Sequence, residues 1–334
     1  MSSNVSIDLP IIHYVLQRGK VLGPFFQLPS LQLEYLDGHG CTLLLAASKG
    51  IKTLGMKLEN SRGHGIACKT VLEELLDRGA NTAAQDKTGR TVLHHLFDRQ
   101  DPVFDPIEPQ NGPDEKYVET TLRSITLRNP NLVHTPDHYG NTPLHLALER
   151  HSLHDINLLL ENGADALRPD HEGNTGLHYL VRSIQESECK DMFRKFLDLG
   201  VDINSRNNEG ETPLFRYIAN TGLGPRGGLQ FLGPGRILDS KLTRPFFDFF
   251  RENGADFFAR SKGGSSLLHL LASFECASRI QEVLSPIIVE RFKVLMSMGL
   301  DPMLEDLRQQ TSLDIAAACG NEAILKLFEQ KPLS

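Results

Sequence analysis

One short pattern recurs along this chain and constrains its fold more than any other feature. It is an Asp-x-x-Gly turn followed at once by Thr and an apolar segment with helical spacing, and the clearest copy is DHYGNTPLHLAL, from Asp137 to Leu148. Related copies begin at Asp37, Asp86, Asp170, Asn207, Ser261 and Asp306. Because the same local structure returns so often, the sequence predicts a stack of similar units rather than one compact core.

A second pattern precedes most of these copies. It is a segment with apolar residues at helical spacing that ends in glycine, as in INLLLENGAD. The glycines of these segments are Gly79, Gly163, Gly200, Gly254 and Gly299. Glycine suits the left-handed residue just past a helix end. We therefore expect each unit to contain a turn, a first helix and a second helix that ends at its glycine.

Together the two patterns resemble the ankyrin repeat, whose unit is a β-turn followed by two antiparallel helices, with Thr-Pro-Leu-His opening the first. The resemblance extends from about residue 31 to residue 328. It implies an all-α fold, an ankyrin-repeat α-solenoid of about seven helix–turn–helix repeats with short β-hairpin tips. Residues 1–36 are expected to form an N-terminal cap and its connection, residues 37–328 the solenoid, and residues 329–334 a C-terminal tail.

The residues of the Thr-Pro-Leu-His motif each have a physical role. Thr142 is expected to cap the first helix, Pro143 lies where a first-turn N–H has no partner within the helix, and Leu144 faces the next repeat. His145 is expected to be buried and to hydrogen-bond backbone groups of an adjacent turn. The histidines at the same position in other copies are His94, His178 and His269, whereas Leu45, Phe215 and Asp314 replace it elsewhere.

The spacing of the copies predicts long insertions. The ankyrin period is about 33 residues, and only the interval from Thr142 to Thr175 matches it. The extra residues fall between first and second helices, at 51–65, 99–113, 221–244 and 274–286. The segment 221–244 is rich in glycine and is interpreted as a mobile loop or a partner-docking segment, since it lacks the GxxxxGK[ST] pattern of a phosphate-binding loop. Its candidate contacts are Arg226, Phe231, Leu232 and Arg236.

Composition limits the functional classes. The 334-residue chain carries a net charge of -7, which disfavours binding to nucleic-acid phosphates. Its five cysteines are scattered without CxxC spacing, so we expect free thiols in a reducing compartment, cytoplasmic or nuclear. The N-terminal residues lack the pattern of a signal peptide, and no apolar run approaches the ~18 residues of a spanning helix, so no membrane insertion is expected.

The sequence contains no catalytic or cofactor motif. It has no HExxH, no GxSxG and no cysteine pair with metal-ligand spacing, so we predict neither an enzyme nor a metal or cofactor site. His134, His138, His151 and His154 are close in sequence, but the ankyrin register places the turn and the helix–helix junction at opposite edges. A surface metal site of His151 and His154 with Asp155 is a minor alternative.

The resemblance implies protein recognition through a concave surface of hairpin tips and first helices, by a chain expected to be monomeric on its own. Such a chain is an interaction module or scaffold for another protein. One alternative is a regulatory or targeting segment of a longer enzyme that docks partners through the long inserted loops, and another is a structural spacer. The family register assigns these partner-binding residues: Lys87, Arg90, Arg99, His138, Tyr139, Asn141, Glu149, Arg150, His171, Glu172 and Arg182. Thr88, Asp98, Asn174 and Ser183 occupy positions of the same kind.

Overall fold

The computed structural model describes residues 32–49, 71–98, 115–184, 187–219, 243–274 and 281–329. These residues form helices and turns and contain no strand, in agreement with the prediction of a helical chain. The chain divides into two compact units, Met1–Ala166 and Leu167–Ser334. No helix within the described ranges is both long and apolar enough to cross a membrane.

The first unit is built from short helices that follow the turns and from second helices that pack against them. Its described helices are α1 (Leu43–Lys49), α2 (Val71–Asp77), α3 (Val92–Phe97), α4 (Glu115–Arg128), a 3-10 helix (Pro130–His134), α5 (Pro143–Glu149) and α6 (Leu153–Glu161). The helices that follow the turns pack in series, α1 on α3 and α3 on α5. The second helices α2 and α6 pack on α1 and α5, and α2 also contacts α4.

The second unit repeats this arrangement. Its described helices are α7 (Gly176–Leu180) with a 3-10 helix (Val181–Ser183), α8 (Ser187–Asp198), α9 (Pro213–Ala219), α10 (Thr243–Glu252), α11 (Leu267–Ala272), α12 (Gln281–Ser297), α13 (Ser312–Ala318) and α14 (Glu322–Glu329). The first helices pack in the order α7, α9, α11 and α13, and the second helices in the order α10, α12 and α14. Aromatic rings fill part of this core, where Phe193 meets Phe249 and Phe250 edge-on at 5.6 and 5.9 Å between ring centroids.

The turn copies share one set of hydrogen bonds. In the copy that begins at Asp137, the Oδ1 atom accepts from the backbone N–H groups of Tyr139 and Asn141, both at 2.9 Å. The Gly140 N–H donates to the Asp137 carbonyl, and the φ of Gly140 is 77°, a value that side-chain-bearing residues rarely adopt. Equivalent side-chain contacts occur at Asp37, Asp86, Asn207 and Asp306. In the last copy Gln309 takes the left-handed position, with φ 59°.

The glycines predicted to end the second helices do so. Gly79, Gly163, Gly200, Gly254 and Gly299 all have φ between 82° and 99°. After α6, for example, the N–H of Gly163 donates to the Leu160 carbonyl and the N–H of Ala164 to the Leu159 carbonyl, both at 3.0 Å. These bonds satisfy carbonyl groups that the end of a helix leaves unpaired, and they turn the chain towards the next copy.

The motif histidines are buried at the start of the first helices, as predicted. The exposed fractions of His94, His145, His178 and His269 are 0%, 2%, 4% and 1%. In each copy the Nδ1 atom accepts from the backbone N–H of the preceding Thr or Ser, at 3.0 to 3.2 Å. The Nε2 atoms of His94, His178 and His269 contact the carbonyls of Asn141, Glu211 and Gln310, at 2.9, 3.1 and 3.0 Å.

These contacts determine the protonation of the rings. A backbone N–H can only donate, so Nδ1 is the acceptor, and the Nε2–H then donates to a carbonyl that can only accept. The imidazoles of His94 and His178 are therefore neutral, with the proton on Nε2. Burial lowers the pKa of His94 to about 4 and that of His178 to about 4, despite the opposing effect of the carbonyl that each ring meets.

Three copies lack the histidine, and the structure shows what replaces it. Leu45 and Phe215 are buried, so apolar contact takes the place of the hydrogen bond there. In the last copy, Asp314 Oδ2 accepts from the Thr311 backbone N–H at 2.9 Å and from the Thr311 hydroxyl at 2.7 Å. A carboxylate thus preserves the cap but has no proton to donate to a further carbonyl. Within the described residues no turn copy follows this one.

One insertion differs from the prediction. Residues 274–286 were expected to lengthen the connection before a second helix, but α12 already begins at Gln281 and contains Pro286 within it. The expectation is wrong for residues 281–286, because they extend the second helix instead. The insertions at 51–65 and 99–113, most of the 221–244 segment and the predicted N-terminal cap lie outside the described residues.

Gly176 departs from the family motif for a steric reason. It stands where Pro143 and Pro213 begin the equivalent helices, and a Cβ atom at this position would lie 2.2 Å from Cε1 of Phe196. A Gly→Pro change usually gains about 0.4–1 kcal/mol where the backbone accepts it. Overpacking a core costs about 1–3 kcal/mol, so the clash outweighs the gain.

Restoring the family proline should therefore destabilise this protein. Gly176→Pro is expected to lower the free energy of unfolding, measured by urea denaturation, by about 1–3 kcal/mol. Val92→Pro at the equivalent position is the matched control, because a first-turn proline is tolerated and a Cβ is already present there. Equal or increased stability of Gly176→Pro would show that the Phe196 ring moves aside at little cost.

Candidate protein-interaction surface

The turns of each unit are joined by backbone hydrogen bonds between successive tips. In the first unit, Lys87 N–H donates to the His39 carbonyl at 3.3 Å and His138 N–H to the Thr88 carbonyl at 2.9 Å. In the second unit the equivalent donors are the N–H groups of Asn208, Lys262 and Leu307, at 2.7 to 3.0 Å. Each tip is thereby held at a fixed register to the next. Side chains at equivalent tip positions recur at regular spacing within each unit.

In the first unit, five described tip side chains are exposed: His39, Lys87, Thr88, His138 and Tyr139. Tyr139 has the character of an interaction residue, because 60% of it is exposed although its ring is large and mostly apolar. Tyrosine is enriched among the residues that dominate binding energy at protein interfaces. The Lys87 ammonium donates to the Gly38 carbonyl at 2.8 Å, which anchors it along the neighbouring turn.

Ion pairs within the first unit already engage several predicted contact residues. Arg150 donates to Asp98 Oδ1 at 2.7 Å, and Arg90 pairs with Oδ2 of the same carboxylate. The Arg90 Nε atom also lies 3.7 Å from Asp137 Oδ2. Arg90 and Asp98 are half-buried, whereas Glu149 and Arg150 are exposed. The charges at the ends of these first helices thus largely balance one another. The ion pairs hold the charged side chains in a fixed arrangement.

In the second unit the predicted residues divide into two groups. His171, Glu172 and Arg182 are exposed. Asn174 is only 4% exposed, and its Oδ1 atom accepts from Asn207 Nδ2 at 3.1 Å and from Arg216 at 3.2 Å. The prediction of Asn174 as a surface contact is wrong, because its amide is used to connect two successive turns.

The remaining predicted contacts lie outside the described residues. They are Arg99 and the four insert residues Arg226, Phe231, Leu232 and Arg236. Their assignment stays a prediction.

The predicted contact Asn141 lies within the described residues. Its carbonyl accepts from His94, and its side chain is half-buried.

Sequence reasoning missed several exposed apolar residues of the second unit. Leu307, at a turn tip, is 75% exposed, and Phe258 and Met303 are 63% and 58% exposed. Phe258 and Met303 each follow a helix-ending glycine by the same number of residues, so they occupy one repeated position. A signal was present in the sequence, since GADFF and GLDPM place an apolar residue where the copy GVDIN has a polar one.

One cluster of potential metal ligands exists among the described residues. Cys41, Asp86 and His95 offer ligand atoms that all lie within 4.8 Å of one another. The four histidines singled out from the sequence, His134, His138, His151 and His154, do not form such a group in the part of the chain described. Cys41 and Cys319 form no disulfide.

Comparison with known proteins supports the family resemblance over part of the chain. A family model of ankyrin repeats, in three copies, matches residues 116–207. The ANK repeat-containing protein nipk-1 of Caenorhabditis elegans is 27% identical over 164 residues, which is 48% of this chain and 24% of that protein. A probable serine/threonine-protein kinase of Dictyostelium discoideum is 32% identical over 90 residues, which is 26% of this chain and 10% of the kinase.

Residues 116–207 therefore match the family model of ankyrin repeats. They include the most regular interval of the chain, from Thr142 to Thr175, and the turns that carry His138, Tyr139, His171 and Glu172. The matched segments span about a quarter and a tenth of the two relatives' own lengths. Ankyrin repeats are in general protein-interaction modules, which is the class of function that the fold supports.

Proposed function

We propose that this chain is a protein-recognition module that binds another protein through its turn tips and first helices. The single observation that supports this most strongly is the row of bonded turns with exposed Tyr139, Lys87 and His138 side chains in the first unit. The tips carry a large aromatic group beside mixed charges, a composition that suits a specific protein partner better than a polyanion.

The ankyrin repeats continue, on this proposal, to both sides of residues 116–207, giving about seven in a solenoid. Two observations support the extension. The same turn geometry recurs at Asp37, Asp86, Asn207 and Asp306. The buried histidine that joins two backbone groups also recurs at His269, well beyond the matched segment. The turns are then the tips of the repeat hairpins.

The proposed contacts are stated for each unit separately. In the first unit they are Lys87, His138, Tyr139, Glu149 and Arg150, with Arg90 held in place by its ion pairs. In the second unit they are His171, Glu172 and Arg182. The chain is proposed to act without catalysis and as a monomer, in a reducing cytoplasmic or nuclear compartment where Cys41 and Cys319 stay as thiols.

The test is a partner captured with the intact chain and then measured against purified variants. Tyr139→Ala is expected to weaken binding by about 30-fold, the effect of losing a typical interface hot spot of about 2 kcal/mol. Arg182→Ala tests the second unit in the same way. Leu127→Ala is the matched control, because Leu127 lies on α4 and is 78% exposed, away from any turn.

The outcome that contradicts the proposed surface is equally specific. Unchanged affinity of folded Tyr139→Ala and Arg182→Ala, together with loss of binding when residues 221–241 are deleted, would move the site to the inserted loops. A purified partner that binds the control variant less tightly than Tyr139→Ala would also contradict it.

A second candidate function is regulation or targeting within a longer enzyme. The match to a segment of a probable serine/threonine-protein kinase favours it, because a similar segment occurs there within a protein named as a kinase. On this reading the chain is a docking segment and catalysis belongs to another part of the protein. A transcript that encodes this chain together with a catalytic domain would support it, and a transcript ending at Ser334 with no such domain would not.

A further inference from the structure

The cluster of Cys41, Asp86 and His95 lies at the junction between the first two turn copies, in the first unit. Cys41 follows the left-handed Gly40 of one turn, Asp86 begins the next turn, and His95 lies on α3 beside the motif histidine. The ligand atoms Sγ, carboxylate O and imidazole N lie within 4.8 Å of one another. Asp86 and His95 belong to the same copy, and stacking of the two copies brings Cys41 of the preceding copy to them.

The cluster is buried, and two of its donors contact one another directly. Cys41 and His95 are 0% and 6% exposed. His95 Nε2 lies 3.1 Å from Asp86 Oδ2, so the imidazole and the carboxylate interact when no cation is present. A cation at this position would replace that contact with a bond to each of the two groups.

The surrounding contacts hold the donors in place. Asp86 Oδ1 accepts from the Thr88 N–H, the Thr88 hydroxyl and the Arg90 N–H at 2.6 to 3.1 Å, which leaves Oδ2 for the cluster. Cys41 N–H donates to Asp37 Oδ1 at 2.8 Å, and the Cys41 carbonyl accepts from the Asp37 N–H at 3.0 Å. Outer contacts of this kind orient the ligands of metal sites and support their affinity.

Lys49 supplies the positive charge at this position. Its ammonium lies 2.9 Å from Cys41 Sγ and 3.8 Å from Asp86 Oδ2. It is the last residue of α1, and its side chain is 29% exposed, so it can leave towards solvent and open a path to the cluster. The ammonium stands where a metal cation would be attracted by the same donors.

The next junction shows that the repeat itself does not require this chemistry. There the equivalent positions of Cys41, Asp86 and Lys49 hold Arg90, Asp137 and Asp98, which form ordinary ion pairs. The position of His95 is held by an apolar residue, Leu146, which is 4% exposed. The combination of thiol and imidazole is thus specific to the first junction.

We propose that Cys41, Asp86 and His95 form a binding site for a zinc-type divalent cation, with Lys49 displaced on binding. Thiolate and imidazole donors select zinc over magnesium or calcium, which prefer oxygen ligands alone. Three protein ligands leave a fourth position of a tetrahedral site for water. Because the site joins Cys41 of one copy to His95 of the next, the cation would also tie two repeats together.

The proposal is tested with the intact, reduced and metal-free chain, using Co²⁺ as a spectroscopic substitute for Zn²⁺. One equivalent of Co²⁺ is expected to produce a thiolate-to-cobalt absorption band that Zn²⁺ then removes. Cys41→Ser should abolish the band, and His95→Gln should weaken metal binding by at least about tenfold. Cys189→Ser, at a buried cysteine of the second unit, is the matched control and should retain the band.

A second measurement separates metal binding from folding. Zn²⁺ should raise the Tm of the wild-type chain and leave that of Cys41→Ser unchanged, since a ligand stabilises only the state that it binds. Lys49→Met should bind Zn²⁺ more tightly, because the competing cation is gone. The absence of a thiolate band in the wild type, or an equal band in Cys41→Ser, would overturn the proposal. Binding seen only in Lys49→Met would overturn it for the native chain, because Lys49 would then fill the site.

Discussion

Acidification from pH 7 to pH 4 is expected to remove several kcal/mol of stability, most of it between pH 6.5 and about pH 4. The pKa values of His94 and His178 fall from 6.5 in the unfolded chain to about 4 in the fold, because burial disfavours the charged ring. The unfolded state therefore binds more protons in this window, so stability is fully present above pH 6.5 and is lost as the pH falls through about 4. A fall of that size corresponds to about 3 kcal/mol for each histidine.

The measurement is the free energy of unfolding by urea at a series of pH values. His94→Gln and His178→Gln lack the titrating ring, so each should show a weaker pH dependence in this window, with lower stability at pH 7. The carboxylates with lowered pKa, Asp86 and Asp314, lose their contribution at lower pH and do not mimic this effect. An unchanged slope between pH 6.5 and 4 in both variants would contradict the neutral buried histidines.

Replacement of Leu144 by Ala is expected to lower the free energy of unfolding by about 2–5 kcal/mol, the usual cost of removing a buried leucine side chain. Leu144 is 2% exposed and follows the proline that begins α5. The effect is expected to be large because the truncation leaves a cavity in the packed core, and the surrounding side chains fill that cavity only partly. Urea denaturation of the intact chain measures it.

Leu127→Ala is the matched control, since the same atoms are removed from a side chain that is 78% exposed. Its expected effect is within about 0.5 kcal/mol. A loss below about half a kilocalorie for Leu144→Ala would show that Leu144 does not stabilise the packing of the repeats. A comparable loss in both variants would show that the effect does not arise from burial of the Leu144 side chain, since alanine forms helices at least as well as leucine.

The turns and caps were predictable because their causes are local in sequence. An Asp followed by glycine three residues later makes its hydrogen bonds within the turn, as at Asp137 and Gly140. A Thr followed by His three residues later does the same at Thr91 and His94. Such short-range hydrogen bonds can be predicted from the order of residue types alone.

Contacts between copies were less predictable. The register assigned Arg90 and Arg150 to the partner, although both pair with Asp98 across 8 and 52 residues of sequence. It likewise placed Asn174 on the surface. Asn207, which begins the next copy, donates a hydrogen bond from its side chain to the Asn174 amide oxygen. A polar residue type does not reveal whether its partner is in the same chain.

Neither the start of α12 nor the cluster of Cys41, Asp86 and His95 was predicted from the sequence, for related reasons. The spacing of the copies predicted a connection over residues 274–286, but the structure begins α12 at Gln281 and continues the helix through Pro286. Cys41 and His95 are too far apart in sequence to form a recognised ligand spacing. The stacking of two copies brings Cys41 within 4.8 Å of Asp86 and His95, which share the second copy.

Site-specific photocrosslinking tests the proposed recognition of a partner protein most directly. A photoreactive residue replaces Tyr139 at the turn tip in one variant and Leu127 on α4 in another, both of them highly exposed positions. The partner is first captured with the intact chain and purified. Recognition through the turn tips then predicts a covalent adduct from position 139 and little or none from position 127. Equal adducts from both positions, or an adduct from position 127 alone, would contradict recognition through the turn tips.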